Sequence, residues 1–327
     1  MRAAWYERRG AAAEVLVVGE MPAPPYPGLG EVRVRVHASG INPGDVKKRA
    51  PWLGMPMAHP RIIPHSDGAG VIDAVGEGVD ASRVGERVWC FGAQSYRPWG
   101  TAAEFTCIPS EQAVSLPDGI DYVQGACFGI PGITAHRAVF ADGPVQGATV
   151  LVRGALGAVG RAAAVLAVRG GAHVIATVRS EDEVATAKRE TGARDALVQG
   201  AADFTQRVLE LTGGRGVDRI IEVAFDANLG SNHDVLALGG VIAAYATADA
   251  EPKIPFWPLL FKNVTIRLLG SDDFPLAAKL EAARAITASG LVYPIAARFP
   301  LEDIARAHEA VEGGVRGRVV LDVVSTR

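Results

Sequence analysis

The chain has 327 residues, of which 49% are hydrophobic and 21% are charged, and its formal net charge is −3. This length and balance are typical of a globular protein with two domains, and the small net charge gives no reason to expect a nucleic-acid partner or a membrane surface. No run of roughly 18 apolar residues is present, so the sequence predicts no membrane span.

The three cysteines, Cys90, Cys107 and Cys127, are far apart in the chain and form no CxxC pair. A disulfide framework and a structural zinc knot are therefore not expected. The short apolar run at the N-terminus has charges at both ends, which is not typical of a signal peptide. These features favour a reducing, cytoplasmic location.

Residues 1–122 have the pattern of a β-rich domain. Short alternating or apolar runs are separated by Gly and Pro, as in Glu31–Ala38, Gly70–Val75 and Arg87–Phe91. Short strands with turn residues between them predict an antiparallel barrel or sandwich.

From residue 123 onward, predicted strands alternate with predicted helices, which indicates right-handed crossovers and a parallel sheet covered on both faces. The strands are expected at Thr149–Arg153, His173–Val178, Val217–Val223 and Val241–Tyr245. The helices are expected at Val159–Arg169, Glu181–Thr191 and Gln206–Leu211. The chain then returns to two helices and a last strand, at Leu276–Ser289, Leu301–Glu312 and Arg318–Val324.

A glycine-rich turn lies between the first of these strands and the helix that follows. It comprises Gly154, Ala155, Leu156, Gly157, Ala158, Val159 and Gly160. Such a turn lets the backbone approach a pyrophosphate, whose charge the amides and dipole of the helix N-terminus stabilise. The next strand begins about 20 residues on, as this fingerprint requires, so the turn predicts a dinucleotide-binding site.

The end of the second strand bears on which dinucleotide binds. An NAD site needs an acidic residue there for the ribose 2′-hydroxyl. The sequence instead has Arg179 and Ser180, with no acid before Glu181. Arg179 offers a guanidinium and Ser180 a hydroxyl for a 2′-phosphate, so NADPH is favoured. The alternative interpretation of Arg179 is a solvated loop charge.

Several segments together resemble one known family over almost the whole chain. They are Val36–Pro43, His65–Gly70, Gly129–Arg137, the glycine-rich turn, Gly213–Asp218 and Gly317–Leu321. The sequence resembles the zinc-independent quinone oxidoreductase branch of the medium-chain dehydrogenase/reductase superfamily, the branch of the ζ-crystallins. The resemblance implies an α/β fold in which a Rossmann doubly wound parallel sheet is inserted in a GroES-like β-barrel catalytic domain, with the active site in the cleft between domains.

The resemblance also implies domain bounds and site residues. Residues 1–122 and 270–327 would form the catalytic domain and residues 123–269 the Rossmann domain. Asn42, Thr134 and Arg318 match family residues near the cofactor, and Asn42 and Thr134 are candidates for the catalytic site. The alternatives are an Asn–Pro turn, a helix-interior threonine that bonds its own backbone, and an exposed strand charge.

The sequence departs from the family in two places. The loop after Asn42 lacks the usual tyrosine, and Trp52 is expected to fill that space as an apolar wall. Leu156 replaces a hydroxyl residue in the glycine-rich turn, so a side-chain contact there is lost.

Metal ligands are not expected at the positions where zinc-dependent relatives carry them. Those relatives place a cysteine near Ile41–Asn42 and a His–Glu pair where this chain has Ser66-Asp67. His65 is one residue out of place, and a catalytic zinc needs three protein ligands, so we expect none.

Without a metal, the resemblance implies reduction of acceptors whose π system spreads the incoming electrons, namely quinones or related enones. Reduction of a 2-enoyl or alkenal double bond is an alternative on the same scaffold, and a binding or structural role that includes RNA binding is a minor one. Tyr96, Trp99 and Phe91 either hold a planar substrate or close the barrel. Tyr96 or water is the candidate proton donor.

Residues Asn263–Gly270 form an apolar, β-branched run that only Arg267 interrupts. As the last strand of the Rossmann sheet it would be an edge strand, and exposed edges must be covered or paired. The resemblance implies a homodimer in which this strand pairs with its copy. An edge covered by the chain's own helix is the alternative.

Overall fold

The computed structural model describes residues 1–24, 26–51, 54 and 56–324. The chain forms two compact units. The barrel unit comprises Met1–Pro131 and Val292–Arg327, and the Rossmann unit comprises Gly132–Leu291. Within the described ranges, no helix combines the length and the apolar character that a bilayer span requires.

The N-terminal part of the barrel unit is built mainly from short strands. They are β1 Arg2–Trp5, β2 Val17–Glu20, β3 Glu31–Ile41, β4 Asp67–Val75, β5 Arg87–Cys90, β6 Phe105–Pro109 and β7 Ala113–Ser115. Three short helices accompany them: α1 Ala12–Val15, α2 Pro43–Arg49 and α3 Tyr122–Gly125. Val32, Val34 and Val36 of β3 are buried at alternate positions, so one face of this strand packs into the core.

The Rossmann unit alternates strands with helices as predicted, and it also contains a strand and two helices that the sequence analysis did not predict, at Asp195–Val198, Phe225–Val235 and Phe256–Phe261. The strands are β8 Thr149–Val152, β9 His173–Val178, β10 Asp195–Val198, β11 Val217–Glu222, β12 Leu236–Ala244 and β13 Thr265–Leu268. The helices are α4 Gly129–Phe140, which begins in the barrel unit, α5 Ala158–Arg169, α6 Val184–Thr191, α7 Phe204–Leu211, α8 Phe225–Val235, α9 Phe256–Phe261 and α10 Leu276–Thr287. The strand order is β10-β9-β8-β11-β12-β13 and every pair is parallel, which confirms the doubly wound sheet.

The C-terminal segment completes the barrel unit. It adds β14 Ile295–Pro300, α11 Ile304–Glu312 and β15 Arg318–Asp322. The larger sheet of the barrel unit has the order β14-β15-β3-β4-β5-β7, and β6 also pairs with β3. Because β15 pairs antiparallel with β3 and Val319 faces Ile41, the last strand brings Arg318 beside the end of β3.

The bounds of the two units differ from the predicted domain bounds of 122 and 269. Helix α10 belongs to the Rossmann unit because it buries Ala282, Ala283 and Ile286 there. A Cβ atom on Gly132 would lie only 2.6 Å from Ile286 Cδ1, so this glycine allows α4 and α10 to pack closely. Sequence periodicity shows that α10 has an apolar face, but not which unit receives it.

The predicted edge strand is shorter than expected. Strand β13 covers Thr265–Leu268 rather than 263–270, and Asn263 has a φ of 51°, which is incompatible with a strand. Strand β13 does lie at one edge of the six-stranded sheet, as the sequence predicted.

Candidate active site

The glycine-rich turn has the geometry of a phosphate-binding turn. Gly154 follows β8 with a φ of 64°, a conformation that favours glycine. Gly157 is the N-cap of α5, so the amides of Ala158 and Val159 lie in its first turn and have no partner within the helix. Their free N–H groups and the positive end of the helix dipole form a site for an anion.

Close packing behind the turn explains its third glycine. A Cβ atom on Gly160 would lie 2.2 Å from the carbonyl oxygen of Gly154. Thr177, at the end of β9, anchors the other side of the turn. Its hydroxyl accepts a hydrogen bond from the Gly154 amide at 3.0 Å, and its carbonyl accepts one from the Ala155 amide at 3.0 Å.

The residues expected to recognise a 2′-phosphate follow β9 directly. The Arg179 side chain is exposed and Ser180 is half-buried. Glu183, an acid that the sequence argument did not consider, folds back so that its carboxylate accepts a hydrogen bond from the Arg179 amide at 2.9 Å. This bond fixes the main chain of Arg179 directly after β9.

In the barrel unit, Asn42 lies in a buried polar cluster with Asp67 and Arg318. Asn42 precedes α2, which begins with Pro43, the residue type preferred at the first helical position. The Asn42 amide nitrogen donates to Asp67 Oδ2 at 2.7 Å, and Arg318 Nη1 donates to Asn42 Oδ1 at 2.9 Å. Asn42 and Pro43 therefore do form a turn, and the two hydrogen bonds also hold the carboxamide in one orientation.

Asp67 is fully buried, and burial raises its pKa to about 7 although Arg318 acts in the opposite direction. The Ile130 amide donates to both carboxylate oxygens at 2.9 Å. A Cβ atom on Gly129 would lie 2.0 Å from Asp67 Oδ1, so the first residue of α4 has to be glycine. In the sequence, Asp67 stands out only as an incomplete metal ligand, and nothing there indicates its contacts with Asn42 and Ile130.

Arg318 is 3% exposed, so it is not the exposed strand charge that the sequence left open. Its Nε and Nη2 atoms have no hydrogen-bond partner among the described residues. Nη2 lies 3.9 Å from Asp67 Oδ2, beyond hydrogen-bond length. Arg318 therefore lies against Asn42, and its contact with a cofactor stays a prediction.

The other predicted site residues have different environments. Thr134 is buried within α4. Tyr96 is 67% exposed and has a φ of 55°, which is rare for an aromatic residue. Phe91 is buried with its ring 5.9 Å from the Trp89 ring, so it closes the barrel and is not a substrate platform. Trp99 is partly exposed, and Trp52 lies outside the described residues.

His65 belongs to a directed hydrogen-bond chain. Thr101 donates its hydroxyl hydrogen to the Asp67 carbonyl at 2.6 Å, so the Ser39 hydroxyl donates to Thr101 and accepts from His65 Nδ1. His65 Nε2 must then accept from His308 Nε2 at 2.9 Å. Burial lowers the pKa of His308 to about 3 and that of His65 well below its usual value, so both rings are neutral.

The side chains at the metal positions of zinc-dependent relatives do not fit zinc. Asn42 and Asp67 are hydrogen-bonded to each other, Arg318 brings a positive charge against them, and His65 is engaged with Ser39 and His308. Zinc prefers cysteine and histidine ligands in a tetrahedral set. Across the described ranges, no group of three His, Cys, Asp or Glu side chains is arranged to hold a metal ion.

Two family descriptions match the chain. The alcohol dehydrogenase GroES-like domain matches residues 28–118, and the zinc-binding dehydrogenase family matches residues 158–284. The first corresponds to the barrel strands and the second to most of the Rossmann unit.

Similar proteins cover nearly the whole chain. A quinone oxidoreductase of Rattus norvegicus is 32% identical over 94% of this chain and 94% of its own length. A 2-haloacrylate reductase of a Burkholderia species is 33% identical over 69% of this chain and 68% of its own. A mycobacterial protein solved in complex with NADPH has a TM-score of 0.83 and 27% identity, covering 99% of this chain and all of that one.

Proposed function

Because the chain belongs to the quinone oxidoreductase branch of the medium-chain dehydrogenase/reductase superfamily, we propose that it catalyses NADPH-dependent reduction of quinones or related conjugated carbonyl acceptors. The observation that carries this proposal is the glycine-rich turn of Gly154–Gly160 followed by an exposed Arg179 where an NAD site has an acid. The mycobacterial neighbour bound to NADPH supports the same cofactor.

The residues of the Rossmann unit would hold two phosphate groups of the cofactor, the central pyrophosphate and the 2′-phosphate. The amides of Leu156, Ala158 and Val159 and the dipole of α5 would bind the pyrophosphate, and Arg179 with Ser180 would bind the 2′-phosphate. When bound, NADPH supplies a hydride to the acceptor. This chain's task is therefore to orient the acceptor and to stabilise the charge that forms on its oxygen.

Asn42 is the residue best placed for that task in the barrel unit. Asp67 accepts from the Asn42 amide nitrogen and Arg318 donates to the Asn42 carboxamide oxygen, so the orientation of the carboxamide is fixed. A preorganised donor costs no reorientation when charge develops on a substrate oxygen. We assign Thr134 to the nicotinamide half of the cofactor, and Tyr96 or water to delivery of the proton.

Reduction of a carbon–carbon double bond is the second candidate. It is favoured by the 2-haloacrylate reductase relative, which shares a third of its residues with this chain over the aligned part. The chemistry is closely related because an enone and a quinone both accept a hydride at a conjugated carbon.

A panel of acceptors separates the two candidates. NADPH oxidation is measured with 9,10-phenanthrenequinone, with 2-hexenal and with a 2-haloacrylate, each at matched concentration and each repeated with NADH. The proposal requires the largest kcat/KM with the quinone and with NADPH. A larger value with either alkene supports the second candidate, and no turnover with any acceptor contradicts both.

We also propose that the protein is a homodimer formed through β13. Leu269 donates its amide to Ala244 of β12, so by alternation the amides of Ile266 and Leu268 point away from the sheet. Leu268 is exposed, and so are Phe256, Trp257 and Phe261 of α9, the helix that leads into β13. Two-fold pairing of β13 with its copy would join the two sheets and cover this apolar surface.

Light scattering tests the dimer, which must have twice the 34.2 kDa mass of the chain. Ile266→Pro removes an outward amide and leaves the bonds to β12, so it should yield a folded monomer. Leu211→Lys, a charge placed at an exposed leucine of α7, is the matched control and should remain dimeric. A monomeric wild type, or a dimeric Ile266→Pro variant, would show that β13 is not the interface.

All three cysteines are buried. We infer a cytoplasmic location, because three cysteines that are far apart in the sequence and form no CxxC pair do not suggest the disulfide framework typical of an oxidising compartment. Fractionation of the native host with an antibody to this chain tests the inference, and recovery from an oxidising compartment would contradict it.

A further inference from the structure

A buried polar network lies behind the glycine-rich turn, at the carboxyl ends of four neighbouring strands of the Rossmann sheet. Its members are polar or charged side chains that face one another within the unit. They are Arg153, Thr177, Gln199, Glu222, Asn228, Ser231 and Asn232. Arg153 and Glu222 are at most 1% exposed, so the network carries two charges without access to solvent.

One chain of hydrogen bonds begins at the turn and ends on Glu222. The Gly154 amide donates to the Thr177 hydroxyl, which donates to Gln199 Oε1 at 3.3 Å. Gln199 Nε2 donates to Asn228 Oδ1 at 2.7 Å, and Asn228 Nδ2 donates to Glu222 Oε1 at 2.9 Å. Each link therefore donates in the same direction, toward the carboxylate.

A second chain of hydrogen bonds begins at Arg153, one residue before Gly154, and ends on the other carboxylate oxygen of Glu222. Arg153 donates through Nε at 3.0 Å and Nη2 at 2.8 Å to Asn232 Oδ1. Asn232 Nδ2 donates in turn to Glu222 Oε2. Arg153, the residue before the turn, and Gly154, its first residue, are thus connected to the two oxygens of a single carboxylate.

The groups that donate hydrogen bonds to Glu222 cannot turn to present an acceptor instead. Oε1 also accepts from the Ala224 main-chain amide at 2.6 Å, which is always a donor. Asn232 must keep its oxygen toward Arg153, because a guanidinium has no acceptor, and so it must present its NH₂ group to Oε2. An amide side chain at position 222 would therefore place a donor against a donor whichever way it is turned.

We propose that Glu222 is a positioning residue for cofactor binding. Its carboxylate orients Asn228 and Gln199, which orient the Thr177 hydroxyl, which holds the Gly154 amide and with it the turn that meets the pyrophosphate. This proposal rests on the dinucleotide site of the proposed function, but it does not depend on the acceptor or on the choice between NADPH and NADH.

The test measures cofactor dissociation constants of Glu222→Gln by fluorescence titration with NADPH and with NADH. Disruption of one buried hydrogen bond in the chain should weaken both cofactors by about tenfold. At saturating NADPH, kcat should stay within about twofold of wild type, because the residue touches neither cofactor nor acceptor. A purely structural role would instead lower thermal stability and leave both dissociation constants unchanged, which would overturn the proposal.

Ile220→Val is the matched control, since Ile220 is a fully buried residue of the same strand outside the network. It should lower thermal stability and leave cofactor binding unaltered. If Ile220→Val weakens NADPH as much as Glu222→Gln does, general loosening of the strand explains the effect and the proposal fails.

Variants of Thr177 test the same chain of hydrogen bonds and do not require that Glu222→Gln folds. Thr177→Val removes the hydroxyl at constant shape and should weaken NADPH by about tenfold, whereas Thr177→Ser keeps the hydroxyl and should stay within about twofold. The effects of Thr177→Val and Glu222→Gln should not add in the double variant, because both break one chain. Full additivity, or equal affinity of the valine and serine variants, would overturn the proposal.

Discussion

Asp67 of the barrel unit and Glu222 of the Rossmann unit are both fully buried carboxylates that face an arginine, yet their surroundings differ. Both oxygens of Glu222 meet donors, and its arginine bonds Asn232 and Ser231. Near Asp67, two nitrogen atoms of Arg318 have no partner among the described residues. A buried network in which the polar atoms have hydrogen-bond partners stabilises the structure around a binding site. Buried polar atoms that lack partners are more typical of the binding site itself.

The pKa values of four buried groups, Asp45, Asp67, His65 and His308, also distinguish the barrel unit from an ordinary hydrophobic core. Burial raises the pKa of Asp67 to about 7 and that of Asp45 to about 6, against usual values of 3.8. Burial also lowers the pKa values of His65 and His308. The barrel unit thus contains two acids with raised pKa values and two histidines with lowered pKa values, and their effects on the pH dependence of stability oppose each other.

Substitutions in the polar cluster of Asn42, Asp67 and Arg318 should reduce catalysis more than any other change proposed here. Arg318→Leu leaves Asn42 Oδ1 without its donor, so the carboxamide loses its orientation and kcat/KM for quinone reduction should fall by about 100-fold. Arg298→Leu, which breaks an exposed ion pair with Asp322, is the control and should retain full activity. Steady-state kinetics with a check of thermal stability measures both. Full activity of a folded Arg318→Leu protein would remove the cluster from the reaction.

The free energy of unfolding should change with pH in opposite directions in the variants Asp67→Asn and His308→Gln. Between pH 3.8 and about 6, the folded state binds protons on Asp67 and Asp45, and the unfolded state binds them on His65 and His308 instead. These four groups therefore cancel in the wild type. Asp67→Asn removes one proton from the folded state, so the unfolded variant binds one proton more than the folded variant. Its free energy of unfolding should therefore drop by about 1.4 kcal/mol for each unit of falling pH, relative to wild type.

His308→Gln keeps a donor to His65 and removes one proton from the unfolded state. Its free energy of unfolding should rise by about 1.4 kcal/mol for each unit of falling pH in the same window, relative to wild type. Urea denaturation of both variants and wild type at several pH values measures the slopes. If all three slopes are parallel, the four groups do not titrate in this way.

The next effect concerns the exposed end of β9 in the Rossmann unit. Arg179→Ala should weaken NADPH binding by ~1–3 kcal/mol, the range for a charge-assisted hydrogen bond, and should hardly change NADH binding. Fluorescence titration measures both cofactors, and Arg189→Ala on the exposed face of α6 is the control. An equal loss with NADPH and NADH would refute the role of Arg179 in recognising a 2′-phosphate.

A smaller effect is expected at Tyr96. If Tyr96 shares proton delivery with water, Tyr96→Phe should lower kcat by less than about tenfold, because a required general acid contributes about 100-fold or more. The kcat measurement should use saturating NADPH and quinone. No change at all would remove Tyr96 from the reaction, and a loss of about 100-fold would make it the required donor.

Chelation should have no effect on activity. The donor set of Asn42, Asp67 and Arg318 does not suit zinc, so EDTA should leave the rate of quinone reduction unchanged. Metal analysis of the purified protein accompanies the assay. One zinc per chain, together with loss of activity in EDTA, would contradict this expectation.

Features that depend on local periodicity and local turn chemistry could be predicted from the sequence. The strand predicted at His173–Val178 agrees with β9 at both ends, and the helix predicted at Val159–Arg169 begins one residue earlier as α5. The glycine-rich turn was identifiable because its glycines, strand and helix are contiguous, so one short segment contains the whole physical requirement. The absence of an acid at Arg179 was likewise visible without a structure.

Contacts between side chains that are distant in the sequence could not be predicted and depend on the fold. Residues 42, 67 and 318 come together because β15 pairs with β3 and β3 with β4, and register between remote strands is not encoded in local periodicity. The sequence showed Glu222 only as an acid at the end of an apolar strand, the one signal that pointed to the network behind the turn. A buried charge needs partners, and their identity depends on which strands and helices the fold places around it.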